Sequence, residues 1–309
     1  MPSLADSEAA MREPSRLVPA VDALGGGALA IDGAGGLWSV AGRSSVMYAL
    51  RRPDGRILAL RVPLADGRAA KRYAEPYAAA ASDPLLAPLR MPGGTLPARL
   101  QVLPEGLVLD GGAARPRFHP IVAGEYLAGG TLGLAARGAA LAGDRPALHS
   151  LFASLADLLA RNDGLGFEHG ALGPETVLLR DDGSLATPNL GTAAWPGSPA
   201  GPASRGRDRL PALLLLAELA ALAADPSLLL PEADWQHLVL SAEDLADPRQ
   251  SAVLASLAAS GDPACAALAA LAAAALASRD APPLAATLAA ARGRPAAGSP
   301  GPAAGSAPA

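Results

Sequence analysis

The apolar positions of this chain change period near residue 125, and that change predicts its architecture. Residues 46–50 and 57–62 are apolar runs on either side of Pro53, Asp54 and Gly55. Proline presets φ and glycine accepts a positive φ, so the pattern predicts a hairpin. Residues 107–109, the turn Asp110-Gly111-Gly112 and the run leading to Ile121 and Val122 predict a second one. Residues 67–81 suit a short helix, against which stands Pro76, whose ring would remove a backbone donor inside it. Beyond Gly130 the period becomes helical. Leu148, Leu151, Phe152, Leu155, Leu158 and Leu159 recur on one face of a helix, with His149, Ser150, Ser154, Asp157 and Arg161 on the other. Asp144 is the expected N-cap, with Pro146 tolerated in the first turn. A small hairpin is expected over 177–185 around Asp181-Asp182-Gly183, then a Pro/Gly/Ser loop over 192–207 and helices from Asp208 to about 291. The expected division is a poorly patterned segment 1–27, a mainly β unit 28–125, a mainly helical unit 126–291 and a Pro/Gly/Ala-rich tail 292–309.

Composition narrows the function classes. Half of the 309 residues are apolar and only 17% are charged, which excludes wholesale disorder. Aromatics are 3%, so Ala and Leu must build the core. A net charge of −4 offers no basic face for nucleic acid. Cys265 is the only cysteine, which rules out an intrachain disulfide and fits a reducing, cytoplasmic compartment. The first residues carry acidic groups and no apolar core of a signal peptide. The apolar runs 210–224 and 264–277 fall short of the ~20 residues of a bilayer span. His119, His149, His169 and His237 lack the spacing of a metal site. Lys71 is the only lysine among 25 basic residues.

The stretch from His169 reads HGALGPETVLLRDDGSLATPNLG. It resembles the catalytic loop of protein kinases, H-x-D-L-x-x-x-N followed by a hairpin and D-x-G. ILALRV at 57–62 is similar to the strand that carries the kinase phosphate lysine, and PIVAGEYLAGGTL at 120–132 to the strand and hinge between the kinase lobes. Asp208 falls where an aspartate opens the central helix of the large kinase lobe. VLPEGLV, GEYLAGGTL and LVLSAEDLADPRQS resemble, in this order, segments of a bacterial kinase-like family. The resemblance spans roughly residues 36–275. It implies an α+β, bilobal protein-kinase-like fold with a small antiparallel β N-lobe and a larger helical C-lobe.

Carried over residue by residue, the resemblance also implies a damaged active site. Phosphoryl transfer needs a base or orienter, Mg²⁺ ligands, a cation on the phosphates and a loop over them. The base position holds Ala171, the loop lysine Gly173, the metal-binding asparagine Thr176 and the metal-binding aspartate Asn189. The phosphate lysine is replaced by Arg61, a wider planar fork. Glu75 is the candidate helix partner of Arg61, and its place before Pro76 argues against a helical conformation. Lys71 reads as a solvated surface residue. Glu175 is another carboxylate to weigh as a substitute. Of the phosphate-loop glycines only Gly42 remains, within VAGRSSVMYA at 40–49. His169 and Asp208 match structural braces of the catalytic loop. At the hinge, the carbonyl of Glu125 and the amide of Leu127 are placed to meet an adenine edge, with Gly124 as a gatekeeper that leaves extra room.

The resulting expectation is a pseudokinase that serves as a protein-interaction scaffold or signalling regulator. ATP is the one cofactor its hinge could accept. Mg²⁺, other metals, nucleic acid and membrane are not expected. The alternatives are an atypical active Ser/Thr kinase and an unrelated structural α+β domain.

Overall fold

The computed structural model describes residues 4–42, 44–65, 67–91, 94–109, 117–196, 198, 206–231 and 237–293. The expected turn at Asp110-Gly111-Gly112, part of the 192–207 loop and the tail after residue 293 lie outside them. The fold is α+β, an antiparallel sheet followed by a mainly helical part, the fold class expected from the sequence. The chain divides into two compact units.

The first unit begins with helices α1 (Leu4–Arg12) and α2 (Pro14–Ala23), where the sequence showed no strong pattern. Strands β1 (Ala28–Leu29), β2 (Ser39–Ala41), β3 (Ser45–Arg51) and β4 (Ile57–Pro63) follow, then helix α3 (Gly67–Ser82), a 3-10 turn (Pro84–Arg90), and strands β5 (Leu100–Leu109) and β6 (Arg117–Glu125). All pair antiparallel in the order β1-β3-β4-β6-β5, with β2 also on β3. The strands of both expected hairpins pair, β3 with β4 and β5 with β6.

Because side chains alternate across a strand, the sheet has two distinct faces. On one, Val46, Tyr48, Leu50, Leu58, Leu60, Val62, Ile121 and Ala123 pack in one core with Ala10, Met11, Leu17, Ala20 and Leu24 of the N-terminal segment. The opposite face carries two rows set by the strand register. One is Met47, Arg61, Val122 and Val102; the other is Ala49, Ala59, Gly124 and Leu100. Ala74, Tyr77 and Ala80 of α3 join Val122 there, together with Phe167, Leu190, Ala193 and Trp195. The helix runs through Pro76 instead of stopping before it. The lost backbone bond costs about 3 kcal/mol. Burial of Ala70, Ala74, Pro76, Tyr77 and Ala80 on one stripe offsets it.

Residues 165–171 and 176–205 also group with the first unit, whereas the sequence division at 125/126 put them with the helices. Specific bonds account for this. Trp195 Nε1 donates to Asp83 Oδ2 at 2.8 Å, Thr187 N donates to Thr95 O at 2.7 Å, and the Phe167 and Trp195 rings stack. Beyond the short strand β7 (Gly130–Thr131), helices α4 (Leu132–Leu141) and α5 (Arg145–Gly164) belong to the second unit, with Asp144 Oδ1 accepting from Ala147 N as the expected cap. The expected small hairpin is β8 (Leu178–Leu179) with β9 (Leu185–Ala186), in the first unit.

The rest of the second unit is α6 (Arg209–Ala224), α7 (Ala242–Ala246), α8 (Ala252–Ala258), α9 (Pro263–Ser278) and α10 (Leu284–Ala291). Helix α6 is buried on every side from Ala212 to Ala223, so it is the axis around which α5, α9 and α10 pack. The one acid on that axis, Glu218, accepts from Val239 N at 3.3 Å and Leu240 N at 3.1 Å, and lies 3.4 Å from His237 Nδ1. Among the described residues no helix is long and apolar enough to cross a membrane.

Candidate functional site

The candidate site in the first unit forms where β3, β4, α3 and residues 165–171 and 176–196 meet. Gly42 N–H donates to Ser45 O at 2.9 Å, so β2 and β3 are joined by a tight turn at the place of the expected phosphate loop. Ser45, at the end of that turn, is buried. Its hydroxyl accepts from Tyr73 OH at 2.9 Å. Tyr73 OH lies 3.1 Å from Tyr77 OH, and Tyr77 OH donates to Asn189 Oδ1 at 2.8 Å. Leu190 N–H donates to Tyr77 OH at 3.1 Å, and Gly191 N–H to Asn189 Oδ1 at 3.2 Å. A continuous chain therefore runs from the hairpin through α3 to the D-x-G position. It depends on Tyr73 and Tyr77 being four residues apart, which puts the half-buried Tyr73 on the same side of α3 as the buried Tyr77. Gly191 is part of the fit, since a Cβ there would come 3.2 Å from the Tyr73 ring.

Arg61 stands close enough to this chain to act on it electrostatically. Tyr77 titrates well above its ordinary range, first through burial and then through Tyr73, with the Arg61 charge opposing. His169 is pushed down to about 4. Burial is the main cause; the backbone groups of Ala171 and Asn189, against which the imidazole is set, oppose it, and Arg61 adds to it. The structure thus brings Arg61, His169 and Asn189 together, with Ala171 alongside.

Other expected residues do not join them. Glu75 is helical, contrary to the bias from Pro76, and it is exposed without an ion pair to Arg61. Among the described residues the Arg61 side chain has no hydrogen-bond or carboxylate partner. The inward positions beside it are Tyr73 and Tyr77, which the sequence reading passed over. Projecting the alanines at 70, 74 and 80 on a helical wheel through Pro76 would have found them. Lys71 is exposed on α3. Gly173 and Glu175 belong to the second unit, where the Glu175 carboxylate lies against Gly173. Asp208 is buried in the second unit at the start of α6.

The donor set does not suit Mg²⁺. The Asn189 carboxamide oxygen already accepts two hydrogen bonds, and the Thr176 hydroxyl is turned onto Ala171 O at 2.8 Å. Mg²⁺ is held in such sites through carboxylates, and no group of three or more His, Cys, Asp and Glu among the described residues could hold a metal ion.

At the hinge, Glu125 N donates to Arg99 O and Tyr126 N to Ile57 O, while the Leu127 amide makes no hydrogen bond among the described residues. A Cβ at Gly124 would meet Arg99 O at 3.3 Å, Pro97 Cβ at 3.4 Å and Leu100 Cδ1 at 3.5 Å, so β5 and the loop before it stand close on that side.

No family description matches this chain, and no curated protein does. Among solved structures, similarity is found to a Stt7 homolog from Micromonas algae soaked with ATP, at 17% identity and a TM-score of 0.39. The match covers 50% of this chain and 48% of that one, so it spans about half the length of that protein.

Proposed function

We propose that this chain is a protein-kinase-like domain that does not transfer phosphate and works by engaging another protein, as a scaffold or regulator in the cytoplasm. The observation that carries this reading is the bond from Tyr77 to Asn189. It ties up the oxygen that a kinase would give to the metal, within a chain that also uses Ser45 and Tyr73. The base position is a methyl group, Ala171, and Arg61 has no helix carboxylate to orient it. These parts act as a unit in phosphoryl transfer, so their joint loss is hard to bypass. Any nucleotide binding would rest on hinge backbone, chiefly the Leu127 amide.

Two measurements test the proposal. Radiolabelled γ-phosphate transfer to the chain itself and to a generic protein substrate should stay at background with either Mg²⁺ or Mn²⁺. Transfer that disappears in Arg61→Ala would overturn it in favour of an atypical active kinase. A thermal-shift titration with ATP should give the same shift, or none, with and without Mg²⁺. Ligand at 100 times Kd adds about 2.7 kcal/mol of stability, which such a titration resolves.

A further inference from the structure

A cavity of about 510 Å³ lies in the first unit, between the C-terminal end of α2, the start of β5 and the 3-10 turn after α3. Three guanidinium side chains line it, Arg52, Arg90 and Arg99, and no carboxylate does. Leu24, Leu58 and Leu100 add apolar wall. Three like charges around one cavity repel each other unless something of opposite sign sits among them.

The arginines are held to different degrees. Arg90 is anchored, donating to the carbonyls of Ala80 and Asp83. Arg52 has only a loose ion pair to Asp54 at 3.6 Å, and its Nε is buried with no hydrogen-bond partner. The chain makes room for this guanidinium. Gly25 has φ +81°, and a Cβ there would come 2.8 Å from Arg52 Nη2. Arg99 is exposed, and its side chain makes no ion pair or hydrogen bond among the described residues. At the rim, the Glu125 carboxylate accepts from Ala98 N at 3.1 Å. A guanidinium offers a planar fork of donors that matches phosphate and carboxylate oxygens.

We propose that this cavity binds a small organic polyanion, with at least two phosphate or carboxylate groups for the arginines and a body that rests on the leucines. The site is separate from the Arg61 cluster and does not depend on the kinase-like reading.

The test is calorimetric titration of the whole chain with inorganic pyrophosphate and with citrate, at low salt and without magnesium. At least one should bind at sub-millimolar concentration, and which one binds tells phosphate from carboxylate. Arg99→Glu and Arg52→Gln should each weaken that binding at least tenfold, while Arg249→Glu, an exposed charge in the second unit, leaves it unchanged. Circular dichroism confirms that the variants fold; if Arg52→Gln does not, the exposed Arg99 decides. Three results would overturn the proposal: neither anion binds, binding ignores Arg99→Glu, or Arg249→Glu weakens it equally.

Discussion

Replacing Tyr77 by Phe removes one oxygen atom from the centre of the first unit. That oxygen donates to Asn189 Oδ1 at 2.8 Å and accepts from Leu190 N–H at 3.1 Å. Tyr77 and Leu190 are both fully buried, so no water takes its place. Asn189 Oδ1 keeps Gly191 N–H and loses about 1 kcal/mol, whereas the orphaned Leu190 N–H costs a further 1–3 kcal/mol or so. The sum is about 2–4 kcal/mol, or roughly 4–16 °C in Tm for a unit of this size. Tyr73→Phe loses only the bond to a Ser45 hydroxyl and its share in the tyrosine pair, so about 1 kcal/mol is expected. Urea unfolding followed by circular dichroism measures both. A double-mutant cycle of Tyr77→Phe with Asn189→Ala should show coupling of about 1 kcal/mol. If Tyr77→Phe stays within about 0.5 kcal/mol of the parent, as an ordinary surface change would, the chain of hydroxyls does not hold the site closed and the reasoning fails.

His169 predicts a pH dependence. Its folded pKa of about 4 lies below the unfolded value of about 6.5, so between these pH values the unfolded chain takes up a proton that the folded one refuses. Stability therefore falls as pH drops from 6.5 to 4, by about 3 kcal/mol in all, and His169→Gln should remove that slope in urea titrations at stepped pH. Gly170→Ala should cost more than about 2 kcal/mol, since φ is +76° and a Cβ would collide with the Thr192 carbonyl; an unchanged Tm would refute this. Glu218→Ala should cost about 3 kcal/mol by orphaning two buried amides, and Glu218→Gln, which can still accept from them, under about 1 kcal/mol; equal losses in thermal melts would show that the charge matters instead.

What was legible in the sequence had local causes. The turn at Pro53-Asp54-Gly55, the leucine stripe of α5 with its Asp144 cap, and the Asp-Gly turn between β8 and β9 each carry their signal within a few residues. Helix α3 was obscured because a breaker at one position outweighed the pattern, although the buried stripe on either side of Pro76 was strong enough to carry the helix through it. The same breaker hides part of the site, because Tyr73 and Tyr77 share one side of α3 only when the helix runs through Pro76. The bonds that recruit residues 165–171 and 176–205 to the first unit span some 90 to 113 positions, as in Thr95 with Thr187 and Tyr77 with Leu190, and no local pattern encodes them. Among the described side chains of α1 and α2, those in the core are the scattered Ala10, Met11, Leu17 and Ala20, which form no visible period.

Those two helices also fix where the chain can be shortened. Tyr48, Leu50, Leu60, Val62 and Ile121 are fully covered on the face they share with Met11, Leu17 and Leu24. A version starting at residue 28 would present that whole face to water as a broad apolar surface, the kind that drives aggregation. It would also lose Leu24 and Gly25 from the wall of the arginine-lined cavity. A shortened version that keeps this face of the sheet covered must therefore retain α1 and α2.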